Sequence, residues 1–556
     1  MKSLLPFLFT AGILAAGQPF GSTDIWAWHT VTDPRISPDG QHAAYVDGWS
    51  SRTANKLWKN LWLDRRRLTQ GEWRDFSPRC SPDSSRLAWI SDRGGRNSIR
   101  VLNVRSMRER PIPTGEFAPV AIAWSADGSS LAFLTPAPAR NAAPAWAPPA
   151  ILDRLRPPAQ TRMQVFAVNL GKDDFHAIST GNRNYAGEPT WSLDGRWIFA
   201  ADDAGEIVAL PTAGGAPKVL TKGQGFCENP VVSPDGGRIA YLVTDPKPQS
   251  YVVRQLAVMN PDGSRVRVLT GALDRDAADP QWSSDSRTVY FLADDRGATH
   301  IYAAHRDGSI RQVTEARERL RGLSVADNGR AATVRSDEVI TLPVDSAGEA
   351  EVLAAPNAGL LAAHEIGATE EIWVSSDGNQ VQAWIAKPPG FDAARKYPLL
   401  LDLRDAPGHA GFDLRSQILA AHGFVVLRVN PRGTPGYGEI FGNVLPTGFP
   451  KDPFDDLMAA VDAVLAKGYI DPRRVMISGG ILASWALGRT DRFARAVVRH
   501  PVAAWMNDKT AVLVLDAGTL KTRKVETAAY VDLPEDGRPG TAVLELETML
   551  GWFGAR

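Results

Sequence analysis

The chain has 556 residues, 62 of them basic and 62 acidic, so it carries no net charge. That length exceeds one ordinary hydrophobic core and implies two or more domains. The balanced charge, with no basic run interleaved with aromatics, gives a nucleic-acid role no support, and 17 Trp with 49 Gly in a chain that is 44% hydrophobic point to a β-rich globular protein.

The N-terminus, MKSLLPFLFTAGILAAGQPFG, places one lysine before an apolar run from Leu4 to Ala16 and then small residues. This is the pattern of a secretory signal, assigned to residues 1–17 with cleavage near Gly17. The run is shorter than the roughly 20 residues that span a bilayer. The expectation is an exported protein, periplasmic or secreted, with no membrane span in the mature chain. Cys80 and Cys227 are the 2 cysteines. A disulfide between them would suit an exported protein, but two cysteines form no framework, and the pairing stays open. No Cys/His cluster has metal-ligand spacing, so neither a metal nor a cofactor is expected.

The segments ISPDGQHAAYV, CSPDSSRLAWI, WSADGSSLAFL, WSLDGRWIFAA, VSPDGGRIAYL, WSSDSRTVYFL and SVADNGRAATV repeat one unit. Their aspartates, Asp39, Asp83, Asp127, Asp194, Asp235, Asp285 and Asp327, are separated by 44, 44, 67, 41, 50 and 42 residues. Each copy predicts a strand, a tight Ser-x-Asp-Gly turn and an alternating apolar strand. In the turn, Ser and Asp side chains bond the backbone, and Gly accepts positive φ. Small antiparallel sheets of this kind bury both faces only by stacking in a ring. Seven copies therefore predict a seven-bladed β-propeller over residues 25–365. The 67-residue interval holds TPAPARNAAPAWAPPAILDRLRPPAQT at 135–161, read as an insertion between strands of the third blade. It is either a lid or specificity loop or a tolerated surface insertion.

From Ile372 the pattern changes to apolar strands alternating with amphipathic helices, which means a parallel sheet covered on both faces. Tyr397 to Leu403 is a continuous apolar strand, DLRSQILAAHG a helix and FVVLRVN a strand. In DPFDDLMAAVDAVLAKG, Asp452 is the expected N-cap, Pro453 the first helical residue and Gly468 the stop. Leu457, Val461, Val464 and Leu465 share one face of that helix. RVMIS, FARAVVRH, AVLVLDAG and VETAAYVDLP follow as strands, with ILASWALGRT and TAVLELETMLGWFG as helices.

This arrangement resembles the prolyl oligopeptidase family of serine peptidases, in its acylaminoacyl- and dipeptidyl-peptidase-like branch. The resemblance spans nearly the whole mature chain. It is carried by KPPGFDAARKYPLLL at 387–401, AAHGFVVLRVNPRGTPGYGEIFGN at 420–443, DDLMAAVDAVLAKGYIDPRRV and SWALGRTDRFARAVVRHPVAAW. It implies a β-propeller followed by an α/β-hydrolase domain over 372–556, shortened here. The implied activity is serine-type hydrolysis of short peptides, which an inter-domain cavity could hold.

The resemblance breaks at the chemistry. Family members carry their nucleophile in a form similar to G-G-S-x-G-G, whereas here Gly479-Gly480 runs directly into Ile481-Leu482-Ala483-Ser484-Trp485. The loop after AVLVLD, where the resemblance implies an acid, is cut short. The stretch LPEDGRPGTAV, where it implies a histidine, has none. LRDAPGHAG replaces the family's His-Gly-Gly-Pro-like oxyanion region. The remaining candidates are Ser478 as nucleophile, His500 as base and Asp516 as orienting acid. Their order contradicts the hydrolase sequence of Ser, acid, His. Met476 occupies the first glycine position of the elbow, Ser484 lies inside a helix, and His409 and His422 match no base position. The reading is an exported, catalytically inactive family member. The alternatives are an active peptidase with relocated residues and a propeller-based peptide- or protein-binding module. Apolar sheet surface is expected to be exposed where covering helices are missing. The oligomeric state stays open.

Overall fold

A computed structural model describes residues 17–138, 161–404, 406–500, 502, 506, 510–516, 528–532 and 538–554. Seven four-stranded sheets follow one another between His29 and Ala354, each an antiparallel meander in chain order. They form the seven-bladed propeller. The reason is local. In six of the seven repeats the turn serine donates to the aspartate two residues on, as in Ser37 to Asp39 at 2.5 Å and Ser192 to Asp194 at 2.6 Å. The same serine oxygen accepts the N–H five residues on, which starts the next strand. In the seventh repeat Ala326 replaces the serine, and the turn instead closes the ring. Asp327 N donates to Pro38 O at 2.8 Å and Asn328 Nδ2 to Asp39 O at 3.3 Å. First and last blades thus meet by packing and turn contacts, with no strand exchanged between them.

The third blade pairs Ser130–Pro138 with Thr161–Asn169, so the long interval is an insertion between two strands of one blade. Most of that insertion, the expected lid or specificity loop, lies outside the described residues. So does most of the expected signal at 1–17. Among the described residues, no helix is long and apolar enough to cross a membrane.

The propeller ends earlier and starts later than its repeats suggest. Gln18–Pro19 pairs in parallel with His364–Glu365, and Phe20 packs into the core of the second domain. The chain therefore enters that domain before winding the first blade. Cys80 and Cys227 are both free thiols, and the possible disulfide is not formed.

Among the described residues, the second domain has one eight-stranded sheet. Its strands are β1 (Thr369–Ser376), β2 (Asn379–Ala386), β3 (Tyr397–Asp402), β4 (Val425–Asn430), β5 (Ile470–Gly479), β6 (Arg495–Arg499), β7 (Ala511–Asp516) and β8 (Ala528–Asp532). The spatial order is 1-2-4-3-5-6-7-8, parallel from β4 onward. Helices α1 (Leu414–Ala421) and α4 (Pro539–Phe553) cover one face. Helices α2 (Lys451–Leu465) and α3 (Ile481–Leu487) cover the other. This is the α/β-hydrolase architecture.

Two expectations are corrected here. Helix α2 begins at Lys451, so Asp452 is inside its first turn and caps nothing. Its carboxylate reaches Arg432 at 3.4 Å instead, an attraction from a loop distant in sequence that local pattern cannot register. Along β7, in the shortened region, the sheet is also not exposed. Val512 and Val514 are buried in the α2/α3 core, and Leu513 and Leu515 are buried in the α1/α4 core. Among the described residues, four helices suffice to cover both faces of β7.

The domains meet at the turn between the second and third strands of the sixth blade and at the link that leads into that blade. Ala410 N donates to Gly297 O at 2.9 Å, Arg296 N to Gly436 O at 3.0 Å, and Glu439 N to Asp274 Oδ1 at 2.8 Å. Trp28 stacks on Phe412 at 5.2 Å, and the Gly297 backbone lies on the Trp384 ring.

Candidate functional site

The apex after β5 is where a hydrolase of this architecture presents a nucleophile. Side chains along β5 alternate between the two cores, with Val475 and Ile477 on one and Met476 on the other. Ser478 therefore shares the face of Met476. Asp402, the last residue of β3, pairs in register with Ser478 on the same face. The Ser478 hydroxyl donates to Asp402 Oδ1 at 2.7 Å, and the serine is only 3% exposed. Beyond it the chain narrows to glycine because a Cβ on Gly479 would meet Leu403 Cβ at 2.8 Å. Gly480 then opens α3, and Ile481, 45% exposed, stands at the apex with no hydroxyl.

Asp402 is held by two guanidiniums. Arg404 Nε lies 2.7 Å and Arg415 Nε 3.5 Å from its Oδ2. Arg404 also makes a two-pronged contact with Asp413 at 2.8 and 2.9 Å, and Asp413 caps α1 through Ser416 N. Arg415 and Arg499 both reach Glu545 of α4. Burial works against the ionised form of Asp402, but Arg404, Arg415 and the Ser478 hydrogen bond more than offset it. The carboxyl stays well below the usual range. A carboxylate held so firmly ionised is too weak a base to take the serine proton near neutrality. The cluster ties β3, β5, α1 and α4 together; it does not activate a nucleophile.

The other candidates fall elsewhere. Ser478 pairs with Val497, and His500 lies three residues beyond it, roughly 10 Å along the strand axis. A φ of 46° at His500 turns the chain there. Leu515 pairs with Arg499, so Asp516 ends β7 level with His500. These two share adjoining strand ends, but β6 separates β7 from Ser478. Ser484 Oγ donates back to Gly480 O at 3.3 Å and accepts Val502 N at 3.1 Å, a helix-internal role. His422 Nδ1 sits 2.8 Å from Ile418 O at the end of α1. His409 Nδ1 sits 3.2 Å from Ala410 O, and burial with the nearby Arg428 charge lowers its pKa.

Three backbone donors of the loop that would supply an oxyanion hole are also committed. Leu403 N donates to Ser478 O at 2.8 Å, Gly408 N to Asn430 Oδ1 at 2.6 Å, and Ala410 N to the propeller. A pocket beside this loop, lined by Trp384, His409 and Arg428, measures only about 10 Å³. Among the described residues, no group of three or more His, Cys, Asp or Glu is arranged to hold a metal ion.

Sequence pattern missed the arginine–carboxylate cluster. An acid ending an apolar strand, Asp402 in LLLDLR, was its one local sign.

Residues 410–531 match the prolyl oligopeptidase family. Among curated proteins, an uncharacterized peptidase of Bacillus subtilis, YuxL, is 30% identical over 244 residues, 41% of this chain and 37% of that protein. Dipeptidyl-peptidase 5 of Porphyromonas gingivalis is 25% identical over 367 residues, 58% of this chain and 53% of that protein. The chain thus spans about half or less of the length of these relatives. Among solved structures, Pyrococcus horikoshii acylaminoacyl peptidase superposes with a TM-score of 0.78 over 96% of this chain and 97% of its own, at 16% identity. A Mycobacterium tuberculosis puromycin-hydrolyzing peptidase superposes with a TM-score of 0.68 over 97% of both chains, also at 16% identity. At that identity the likeness speaks for the fold.

Proposed function

The chain belongs to the prolyl oligopeptidase family, and on that premise we propose that it is a member that has lost acyl-transfer chemistry while keeping the peptidase fold. The observation that carries this reading is the Ser478 hydroxyl donating to Asp402 at 2.7 Å, buried and committed to a carboxylate that two arginines hold ionised. The apex beyond it offers Gly480 and Ile481, which bear no attacking oxygen. Removing a working triad elsewhere leaves only roughly a thousand- to ten-thousand-fold rate over water, drawn from oxyanion and binding interactions. Here the loop donors at Leu403, Gly408 and Ala410 already have partners.

Active-site-directed fluorophosphonate tests the reading on the full chain. The expected result is no stoichiometric adduct and no turnover of peptidyl or aminoacyl chromogenic substrates. One serine of the C-terminal third labelled to completion overturns it. Export belongs to the same proposal and rests on the charged, then apolar N-terminus. A mature N-terminus near Gly17, sequenced from protein collected outside the cytoplasm, supports it, and an intact Met1 in that fraction refutes it.

A further inference from the structure

In a four-stranded meander the first and third turns lie at the end opposite the second. In the first blade the second turn is the Asn55 tip, which reaches Gly540 of the other domain. At the opposite end, between the first and second blades, lies a cleft of about 780 Å³, within the range of ligand sites. Its floor is apolar and recessed. Leu63 is 6% exposed there, and Val104 and Met107 pack in the same cluster.

The rim carries three arginines whose charge the protein leaves almost unanswered. Arg65 and Arg66 follow the first blade's third strand, Lys56–Leu63. Arg105 sits in the third turn of the second blade, which Asn103 pins by accepting Ser106 N at 2.8 Å. The Arg65 side chain is 70% exposed, and Glu351 lies 3.8 Å from it, a contact worth little in water. Among the described residues, neither Arg66 nor Arg105 has a carboxylate within ion-pair distance. The aspartates of the cleft are occupied within their own blades. Asp39 takes Ser37 Oγ and Gln41 N, Asp83 takes Ser81 Oγ and Ser85 N, and Asp64 takes Ala43 N and the His42 ring. The matching cleft between the fourth and fifth blades, about 470 Å³, differs. There Asp194 holds Arg196 at 2.6 Å, and Lys218 donates to Asp262 O at 2.9 Å. The unanswered cations therefore come from this seam's own residues and not from the repeat.

We propose that the cleft between the first and second blades docks an acidic, extended segment of a partner protein, with Arg66 and Arg105 taking carboxylates and the Leu63–Val104–Met107 floor taking an apolar side chain between them. A guanidinium fork grips a carboxylate through two parallel hydrogen bonds. Methionine, unbranched and flexible, adapts the floor to the side chain that enters. The recess favours a peptide over a membrane: a flat anionic bilayer resting on the rim leaves the floor empty, whereas one extended chain fills it. The cleft lies at the far end of the strands from the domain contact, so it does not depend on the state of the hydrolase apex.

Calorimetric titration of the full chain at pH 7 tests this with a doubly blocked pentapeptide of four glutamates around a central leucine, and with its glutamine counterpart. The acidic peptide is expected to bind, and to weaken several-fold between about 20 and about 200 mM salt as exposed charges are screened. The glutamine peptide is expected not to bind. Replacing both arginines, Arg66→Ser with Arg105→Ser, is expected to weaken the acidic peptide about tenfold or more. Both side chains are exposed, so the melting temperature is expected to stay unchanged. No binding of the acidic peptide at millimolar concentration, or equal binding of the two peptides, overturns the proposal. So does a folded double variant that binds like the parent chain. If that variant does not fold, the comparison of the two peptides on the unaltered chain decides. Phosphatidylglycerol vesicles that sediment the chain while the acidic peptide gives no signal also overturn it and reassign the arginines to a lipid surface.

Discussion

Asn55, at the tip of the hairpin in the first blade, accepts the Gly540 backbone N–H through its side-chain oxygen at 2.8 Å. Gly540 is the second residue of α4, whose own N-cap, Arg538, supplies no capping hydrogen bond. The propeller thus caps a helix of the other domain. Replacing Asn55 by Ala removes the acceptor, and loss of a cap typically costs about 1 kcal/mol. The expected outcome is a melting temperature lowered by a few degrees and faster amide exchange confined to the first turn of α4. Unchanged exchange there contradicts a capping role.

Arg432 and Asp456 form a second long-range pair. Arg432 donates through Nε and Nη2, with Nη2 at 2.8 Å, and Asp456 is 0% exposed. Arg432→Ala strands a buried carboxylate, which costs about 3–5 kcal/mol. Arg432→Lys recovers only part of this, because an ammonium cannot reproduce the forked contact. Urea unfolding of the three proteins checks the ranking, and full recovery by lysine counts against it.

Ser478→Ala is expected to destabilise by about 1–2 kcal/mol, since Asp402 loses one hydrogen bond to a charged acceptor but keeps both arginines. Background turnover of chromogenic peptides is expected to be identical in parent and variant. A measurable loss of turnover in the variant identifies the serine as a nucleophile after all.

Acid is expected to dissolve the same cluster. Burial opposes ionisation of Asp402 and Asp413, but Arg404, with Arg415 and Arg428, holds both carboxyls below their ordinary value of 3.8. The unfolded chain therefore takes up these protons first as pH falls. The stabilisation is fully present above about pH 4 and drains away below it, toward the folded values. Melting temperatures at pH 7, 5, 4 and 3 should show a plateau and then a fall. Asp413→Asn should lower the plateau and soften the fall. An equally steep fall in the variant refutes the assignment.

The sequence by itself determined the propeller, because the unit repeats seven times, six of them with a Ser-x-Asp turn, and each turn closes with its flanking strands within a dozen residues. It determined the alternation of strands and helices after Ile372 for the same reason: period and turn chemistry are local. It also showed that the Gly479-Gly480 turn lacks a following serine. Tertiary structure decided what no local pattern encodes. Ser478 meets an acid 76 positions away, Asn55 caps a helix 485 positions away, and Asp452 answers to Arg432 instead of capping the helix it lies in. Charge balance in a buried space depends on which side chains the fold brings together, and that is settled only when distant segments pack.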